Sequence, residues 1–409
     1  MTATSPSATW SGHPRGSAGY RRVVAALVTG GIATFAQLYA VQPLMPQLAA
    51  EYTVSPDRAA LALSLATAGL SALLVPWSGA ADWIGRARVM TAALAASTLL
   101  GLAVPFAGEL WQLLALRAVQ GMALGGLPAV AVAYLAEELR PADFPRAAGL
   151  YIAGTTVGGM LGRLVAGTAA DLGGWRWGVA ADGLLGLVAL VLFAVLLPRP
   201  RGFVPRRRGG GGPGLGRRLA ASLADRGLLA LYAQGLFLMG GFVTVYNYLS
   251  FELLGPPFGL SQTAVSFLFA AYLAGTAGSA LAARLNGWTG RHRALLLAAL
   301  GVAAGAALLL LPWLAGIVAG LVLLTFAFFT AHATASGWVG HRARWRAQAA
   351  ALYTLGYYLG SSLFGWIGGI VYQHAGWPGT VGYVLALVAA AAVASLALRG
   401  RPAAAQQRV

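Results

Sequence analysis

Residues 198–226 read PRPRGFVPRRRGGGGPGLGRRLAASLADR, a polar stretch in a chain of 409 residues that is otherwise mostly apolar. The stretch carries eight arginines, a run of four glycines and no apolar periodicity that could form a core. On each side lies a block in which apolar runs of roughly 20 residues are separated by short turns. The stretch therefore predicts a basic linker between two membrane-embedded halves.

The two halves repeat the same residues in the same order, which indicates an internal duplication. The offset between equivalent positions drifts by only a few residues, as trimming of loops would produce. Three groups recur: Ser55, Ala68 and Gly69 as Ser261, Ala274 and Gly275; Trp83-x-Gly85-Arg86-x-Arg88 as Trp288-x-Gly290-Arg291-x-Arg293; and Gly154, Gly158 and Trp175 as Gly356, Gly360 and Trp377.

Composition restricts the class of protein. Hydrophobic residues make up 58% of the chain and charged residues 10%, far from the values of a soluble domain. The net charge of +17 does not indicate a nucleic-acid binder, because the basic residues lie between apolar spans rather than on a soluble face. The absence of cysteine excludes disulfides and thiolate metal sites. The chain is therefore predicted to be a polytopic membrane protein.

Twelve segments are long and apolar enough to cross a bilayer, since about 20 residues suffice. They are residues 22–44, 59–80, 88–107, 111–134, 147–170, 176–197, 227–250, 262–285, 294–311, 315–338, 347–371 and 379–398. The predicted division is a disordered N-terminal tail (1–21), a six-helix bundle (22–197), the linker (198–226), a second six-helix bundle (227–398) and a C-terminal tail (399–409).

The arginines predict the orientation of the spans. With the N-terminus in the cytoplasm, 24 of the 28 basic residues fall on the inner side, only Arg58 and Arg176 fall in outer loops, and Arg117 and Arg163 lie within spans. Cytoplasmic loops carry an excess of basic residues. Both tails and the linker are therefore expected in the cytoplasm of a bacterial cell, with the spans in its inner membrane.

The loop after the second span reads SGAADWIGRAR over residues 78–88 and resembles the Gly-x-Leu-Ala-Asp-Arg-x-Gly-Arg-Arg motif of the major facilitator superfamily. Asp82, Gly85 and Arg86 match that motif. The resemblance implies an all-α fold of twelve transmembrane helices in two pseudo-symmetric bundles. Gly85 permits a tight turn, and Asp82 with Arg86 can form a conformational latch at a helix end. A plain cytoplasmic anchor is the alternative. The corresponding segment of the second half, residues 286–291 (NGWTGR), has no acidic residue.

Two further segments resemble the family. Arg117-x-x-Gln120-Gly121 is similar to a motif of proton-coupled members and implies that Arg117 takes part in proton coupling. The alternative is an Arg117 that is bonded to carbonyl groups of the first span. Residues 154–163, GTTVGGMLGR, are similar to the antiporter motif, with Gly159 and Arg163 as departures. Together with Leu38-Tyr39-x-Val41-Gln42-Pro43, they resemble the YnfM-like branch of bacterial efflux permeases.

Arg163 and Asp182 lie at similar distances from the turn between the fifth and sixth spans. Because a charged group inside a membrane requires a partner, we expect them to form an intramembrane ion pair. The alternative is that both side chains reach outward to interfacial water.

The family resemblance implies a substrate cavity between the halves, lined by spans one, four, seven and ten. Those spans offer aromatic, amide and imidazole side chains, which suit a partly apolar small molecule. The candidates are Phe35, Gln37, Tyr39, Gln42, Gln120, Tyr246, Asn247, Phe329 and His332. The first span has no acidic residue. The candidates for proton coupling are therefore Arg117, Asp182 and His332, and Glu252 is a further candidate by its position.

These features predict a secondary transporter that works by alternating access, exporting a small amphipathic or sugar-like molecule in exchange for protons. The alternative is an uncoupled facilitator or importer on the same fold. An enzyme is not indicated, since no metal-spaced His/Asp/Glu cluster, Ser-His-Asp arrangement or phosphate loop is present. We expect a monomer that needs no cofactor or metal, with lipid, the substrate and protons as its partners.

Overall fold

The computed structural model describes residues 10–203 and 215–398, and every regular element in these residues is a helix. The predicted all-α fold is thus confirmed. The long helices are α1 (Ala18–Tyr39), α2 (Pro56–Ile84), α3 (Arg86–Ala103), α4 (Leu110–Leu124 and Gly126–Glu138), α5 (Phe144–Gly173), α6 (Trp175–Leu196), α7 (Arg226–Leu254), α8 (Gln262–Phe267 and Tyr272–Thr289), α9 (Arg291–Leu308), α10 (Leu314–Arg342), and α11 with α12 in Arg346–Ser395. A short helix, Met45–Glu51, follows α1.

The number of spans agrees with the twelve predicted. Ten of the described helices are both apolar and long enough to cross a membrane. Arg346–Ser395, at 50 residues, counts as two, because Gly376 (φ 60°) interrupts its helical backbone just before Pro378. The glycine-rich α5, at 30 residues, also has the length to cross.

The repeat seen in the sequence recurs in the structure. Gly174 (φ 80°) separates α5 from α6, as Gly376 separates α11 from α12. Gly158 of α5 lies against the backbone of Ile32 in α1, and Gly360 of α11 lies against the backbone of Leu236 in α7. The absence of a Cβ at these two glycines lets each pair of helices approach closely. The same contact therefore holds the first and fifth helices of both halves.

The two halves meet along α2 with α11 and along α5 with α8. Among the described residues, the hydrogen bonds between α1–α6 and α7–α12 lie near the middle of the helices or near the helix ends that are far from the linker. Examples are Thr67 Oγ1 with Ser362 Oγ at 2.7 Å, and the backbone N–H groups of Gln262 and Thr263 donating to Asp171 at 3.2 and 2.9 Å. We call this set of contacts the outer closure, after the side of the membrane on which the arginine distribution predicts it to lie.

Two segments differ from the predicted tail and linker. The tail was expected to be disordered to residue 21, but Trp10 Nε1 donates to Glu137 O at 3.2 Å and His13 N to Glu138 O at 2.8 Å. An aromatic ring and unpaired backbone groups close to the end of α4 explain this order. In the linker, Leu215–Leu223 forms a helix. Residues 1–9, 204–214 and 399–409 of the predicted tails and linker lie outside the described residues.

The second half begins with an ion pair on the linker side. Arg342, at the end of α10, contacts Asp225, the residue before α7, at 2.8 Å. Burial opposes ionisation of Asp225, but hydrogen bonds from Arg342 and from the N–H groups of Gly227 and Leu228 prevail, so the pKa of this carboxyl group lies below its usual value.

Substitution of Gly360 tests the close contact of α7 with α11. A Cβ at Gly360 would overlap the Leu236 carbonyl group. Overpacking of this kind costs about 1–3 kcal/mol of stability. We therefore expect Gly360→Ala to lower the thermal unfolding midpoint of the detergent-solubilised protein. Gly382→Ala in α12 is the matched control, because nothing lies within 4 Å of a Cβ placed there. Equal midpoints for the two variants would contradict the close contact.

Candidate functional site

A cavity of about 340 Å³ lies between the two halves. Its floor includes Tyr39 and Tyr272, beside the outer closure, and its wall continues to Val339 and Ala350 near the linker ends of α10 and α11. Most of the wall is aromatic or carries a hydroxyl group. The lining residues are Phe35, Tyr39, Ile152, Thr155, Thr156, Gly159, Met239, Phe242, Tyr272, Thr276, Ser279, Phe329, His332, Ser336, Val339, Ala350, Tyr353, Thr354, Tyr357 and Tyr358.

Four of the nine predicted cavity residues line this space: Phe35, Tyr39, Phe329 and His332. The other five lie elsewhere. Gln37 and Gln120 belong to the surroundings of Arg117, and Gln42 and Asn247 bond to each other at 2.6 Å in the outer closure. Tyr246 is buried, and its hydroxyl group pairs with Thr325 Oγ1 at 2.6 Å. The prediction that these five side chains line the cavity is therefore wrong, because neighbouring helices cover the faces on which they lie.

Arg117 is 1% exposed and is bonded to two other helices, α1 and α2. Nε donates to Ala62 O of α2 at 3.1 Å, Nη1 to Gln37 O at 3.0 Å and Nη2 to Leu38 O at 2.6 Å. The last four carbonyl groups of a helix lack intrahelical partners, and α1 ends at Tyr39. The guanidinium group therefore supplies donors to the unpaired carbonyl groups at the end of α1. This is the alternative given above, in which Arg117 is bonded to carbonyl groups of the first span.

Gln120 extends this cluster to α3 and back to α1. Its side chain accepts from Arg117 Nη1, and its Nε2 donates to Ser97 O at 3.1 Å and to Gln37 Oε1 at 3.3 Å. The spacing Arg-x-x-Gln places both side chains on one face of α4. The motif thus ties α4 to the three helices that precede it.

Asp182 is a buried acid near this cluster. It is 3% exposed, and its Oδ1 is buried without a hydrogen-bond partner. On the same face of α6, Gly178 contacts Leu44 and Gly186 contacts Gln37, so Asp182 faces the interior of the first half. Arg117 is the charged group that acts on it electrostatically, although no ion pair within 4.0 Å joins the two among the described residues.

The predicted ion pair of Arg163 with Asp182 is not formed. Arg163 donates through Nε to Gln42 Oε1 (2.6 Å), through Nη1 to Gly159 O (2.7 Å) and through Nη2 to Tyr272 Oη (3.0 Å). These partners lie at the junction of the two halves, whereas Asp182 points into the first half. Similar depth in the membrane did not place the two residues on facing sides of their helices.

His332 lies in the cavity wall on α10. Its Nδ1 pairs with the Tyr353 hydroxyl group at 2.9 Å, and its ring stacks against Phe328. It is thus a hydrogen-bonded imidazole inside an aromatic wall.

The residues of the predicted latch lie together at the linker end of the first half. Gly85 has φ 97° and forms the turn between α2 and α3. Arg86 contacts Asp82 at 2.7 Å and Glu137 of α4 at 3.1 Å. Glu137 was missed as a member of this network, although the pair of acids that ends α4 was a signal in the sequence. Glu138, also missed, accepts from the N–H groups of Arg201 and Gly202 at 2.7 and 2.8 Å.

Comparisons with known proteins agree with this architecture. The family model of the Major Facilitator Superfamily matches residues 27–365. The chain is 38% identical to the uncharacterized MFS-type transporter YybF of Bacillus subtilis (strain 168), covering 90% of this chain and 91% of that protein. It is 37% identical to the inner membrane transport protein YnfM of Escherichia coli (strain K12), covering 91% and 89%.

Solved structures share the fold at low sequence identity. A bacterial homologue of the human lysosomal transporter Spinster, in an inward-facing and unoccupied conformation, superposes with a TM-score of 0.80 at 16% identity, covering 93% of this chain and 97% of that one.

Asp82→Asn tests the latch. The neutral amide weakens the attraction to Arg86, so we expect turnover to fall several-fold while the affinity for a bound compound stays the same. Transport rates and equilibrium binding are measured on the same preparation. Asp143→Asn is the control, because Asp143 lies at the same end but accepts from the backbone of Arg15. Unchanged turnover in Asp82→Asn would exclude a latch.

Proposed function

The chain belongs to the major facilitator superfamily and is a multi-pass membrane transporter, and from this premise we propose that it exports a small amphipathic or sugar-like molecule in exchange for protons. The observation that carries the proposal is a cavity between the halves that is closed by hydrogen bonds at the end away from the linker. Its aromatic rings and hydroxyl groups suit a ligand with both apolar and polar parts.

Alternating access requires that the outer closure opens when the linker end closes. The closure consists of individual hydrogen bonds between side chains and backbone groups of the two halves, which can exchange for bonds to water. With the linker and termini in the cytoplasm, as the distribution of arginines supports, the arrangement is an inward-facing one. The latch of Asp82, Gly85 and Arg86 then stabilises one of the two arrangements.

We assign the proton to Asp182. An ionisable side chain inside a membrane marks a functional position by default, and this carboxyl group has one oxygen without a partner. Arg117, with its cluster of carbonyl groups, sets the electrostatic surroundings of Asp182 and links them to α1, which reaches the cavity at Phe35 and Tyr39. His332 is the second candidate, since it lies in the cavity wall itself.

The alternative function is an uncoupled facilitator or importer on the same fold. In the described residues, no group of three or more His, Asp or Glu side chains could hold a metal ion. We further propose that the protein is a monomer and that it works without a cofactor.

Proteoliposomes distinguish the two functions. Compounds from a set of labelled sugars and amphipathic aromatics are first selected by counterflow, which needs no energy source. We expect an imposed pH gradient to drive accumulation of the selected compound several-fold above equilibrium. Accumulation that ignores the gradient would establish the uncoupled alternative.

Asp182→Asn tests the proton carrier. The amide keeps the shape of the side chain but cannot exchange a proton at this position, so we expect counterflow to continue and gradient-driven accumulation to be lost. Glu252→Gln, in the half-buried last turn of α7, is the matched control and should keep both activities. Gradient-driven accumulation by Asp182→Asn at the wild-type level would move the assignment to another residue.

A further inference from the structure

The cavity has an uneven distribution of charge. No acidic side chain lines it, and all 11 acidic residues of the sequence lie among the described residues. Below its floor lies the guanidinium group of Arg163, which is 0% exposed. The cavity therefore adjoins a buried positive charge and offers no negative charge to a ligand.

The partners of Arg163 are all neutral. They are the Gln42 amide oxygen, the Gly159 carbonyl oxygen and the Tyr272 hydroxyl group. The rings of Tyr39 and Tyr272 lie 4.1 and 4.5 Å from its Cζ, and among the described residues no carboxylate lies within 4.0 Å of its nitrogen atoms. A buried charge that lacks a counter-charge is costly, so an anion close by would be stabilised.

Tyr272 connects this charge to the cavity. Its hydroxyl oxygen accepts from Arg163 Nη2, which leaves its own proton free to be donated, and no acceptor for that proton is found in the described residues. Tyr272 lines the cavity, as does Gly159, whose carbonyl group also binds Arg163. A hydroxyl group that accepts from a guanidinium is a polarised donor, which is the type of group that binds a carboxylate strongly.

We propose that the cavity binds a small aromatic monoanion of the benzoate type, with its carboxylate at the Tyr272 hydroxyl group above Arg163. The aromatic rings of Phe242, Phe329 and Tyr357 supply flat faces for the ring of the ligand, in offset or edge-to-face contact. This inference rests on the proposed function only in using the same cavity as the substrate site, and it narrows the substrate class to organic anions.

Three probes of one size test the charge preference of the purified protein: benzoate, benzyl alcohol and benzylamine. Equilibrium binding is measured at neutral pH, where benzoate is an anion and benzylamine a cation. We expect benzoate to bind at least about tenfold more tightly than benzyl alcohol, as one charge-assisted hydrogen bond provides, and benzylamine not to bind. Equal or tighter binding of either other probe, or no saturable binding of benzoate, would overturn the proposal.

Variants assign the preference to the proposed groups. Tyr272→Phe keeps the ring and removes the donor, and Arg163→Gln removes the charge. Each should reduce the preference for benzoate over benzyl alcohol to near parity. Tyr248→Phe is the control, since that hydroxyl group is bonded to Gly365 O outside the cavity lining, and it should keep the preference. If Tyr272→Phe keeps the preference for benzoate over benzyl alcohol, Tyr272 does not bind the carboxylate. This outcome can be read even if Arg163→Gln does not fold.

The two proposals fail in different ways. Benzoate binding that depends on Tyr272, combined with transport that ignores a pH gradient, would refute proton antiport and keep the anion site. Gradient-driven transport of a neutral compound, combined with no binding of benzoate, would refute the anion site and keep the proposed function.

Discussion

A guanidinium group in the interior of a membrane must be surrounded by acceptors, and this requirement organises the first half of the protein. Placing an arginine at mid-bilayer costs about 2.5–3.5 kcal/mol on insertion scales. Arg117 avoids leaving that charge unsolvated by binding the carbonyl groups of Gln37, Leu38 and Ala62. The same carbonyl groups of α1 need donors because the helix ends there. The charge and the interruption of α1 therefore stabilise each other, and α1 is held where its last turns reach the cavity.

Arg163 meets the same requirement by a different route. Its acceptors come from both halves, with Gln42 and Gly159 in the first and Tyr272 in the second. Gln42 in turn donates to Asn247 at 2.6 Å, so one chain of hydrogen bonds runs from α5 through the short segment after α1 to α7. In the proposed alternating-access cycle, opening the outer closure would break this chain and expose the charge to water. The solvation of Arg163 would then be coupled to the movement of the halves.

The sequence predicted most of the features that depend on one helix at a time and only some of those that depend on two. Hydropathy and length suffice for the twelve spans, and the positive-φ turn at Gly85 follows from its motif. The pairing of Gln42 with Asn247 could not be predicted, because it depends on how one half sits against the other. Arg163 and Asp182 show the same limit within one half. Depth along a helix is readable from residue counts, whereas the direction in which a face points depends on which neighbours cover it.

The duplicated halves share a backbone but divide the chemistry between them. In the repeat, Gly287 stands where the first half has Asp82, and the residue before it, Asn286, accepts through Oδ1 from Thr334 Oγ1 at 3.1 Å. A neutral hydrogen bond there replaces the charged network of Asp82, Arg86 and Glu137. Conversely, most of the aromatic rings of the cavity wall belong to the second half. A charged network can change its bonding with conformation, while an aromatic wall keeps its shape. In the proposed transporter, the division would place the latch in one half and most of the rings proposed to contact a ligand in the other, so that a rocking movement would change the first without disrupting the second.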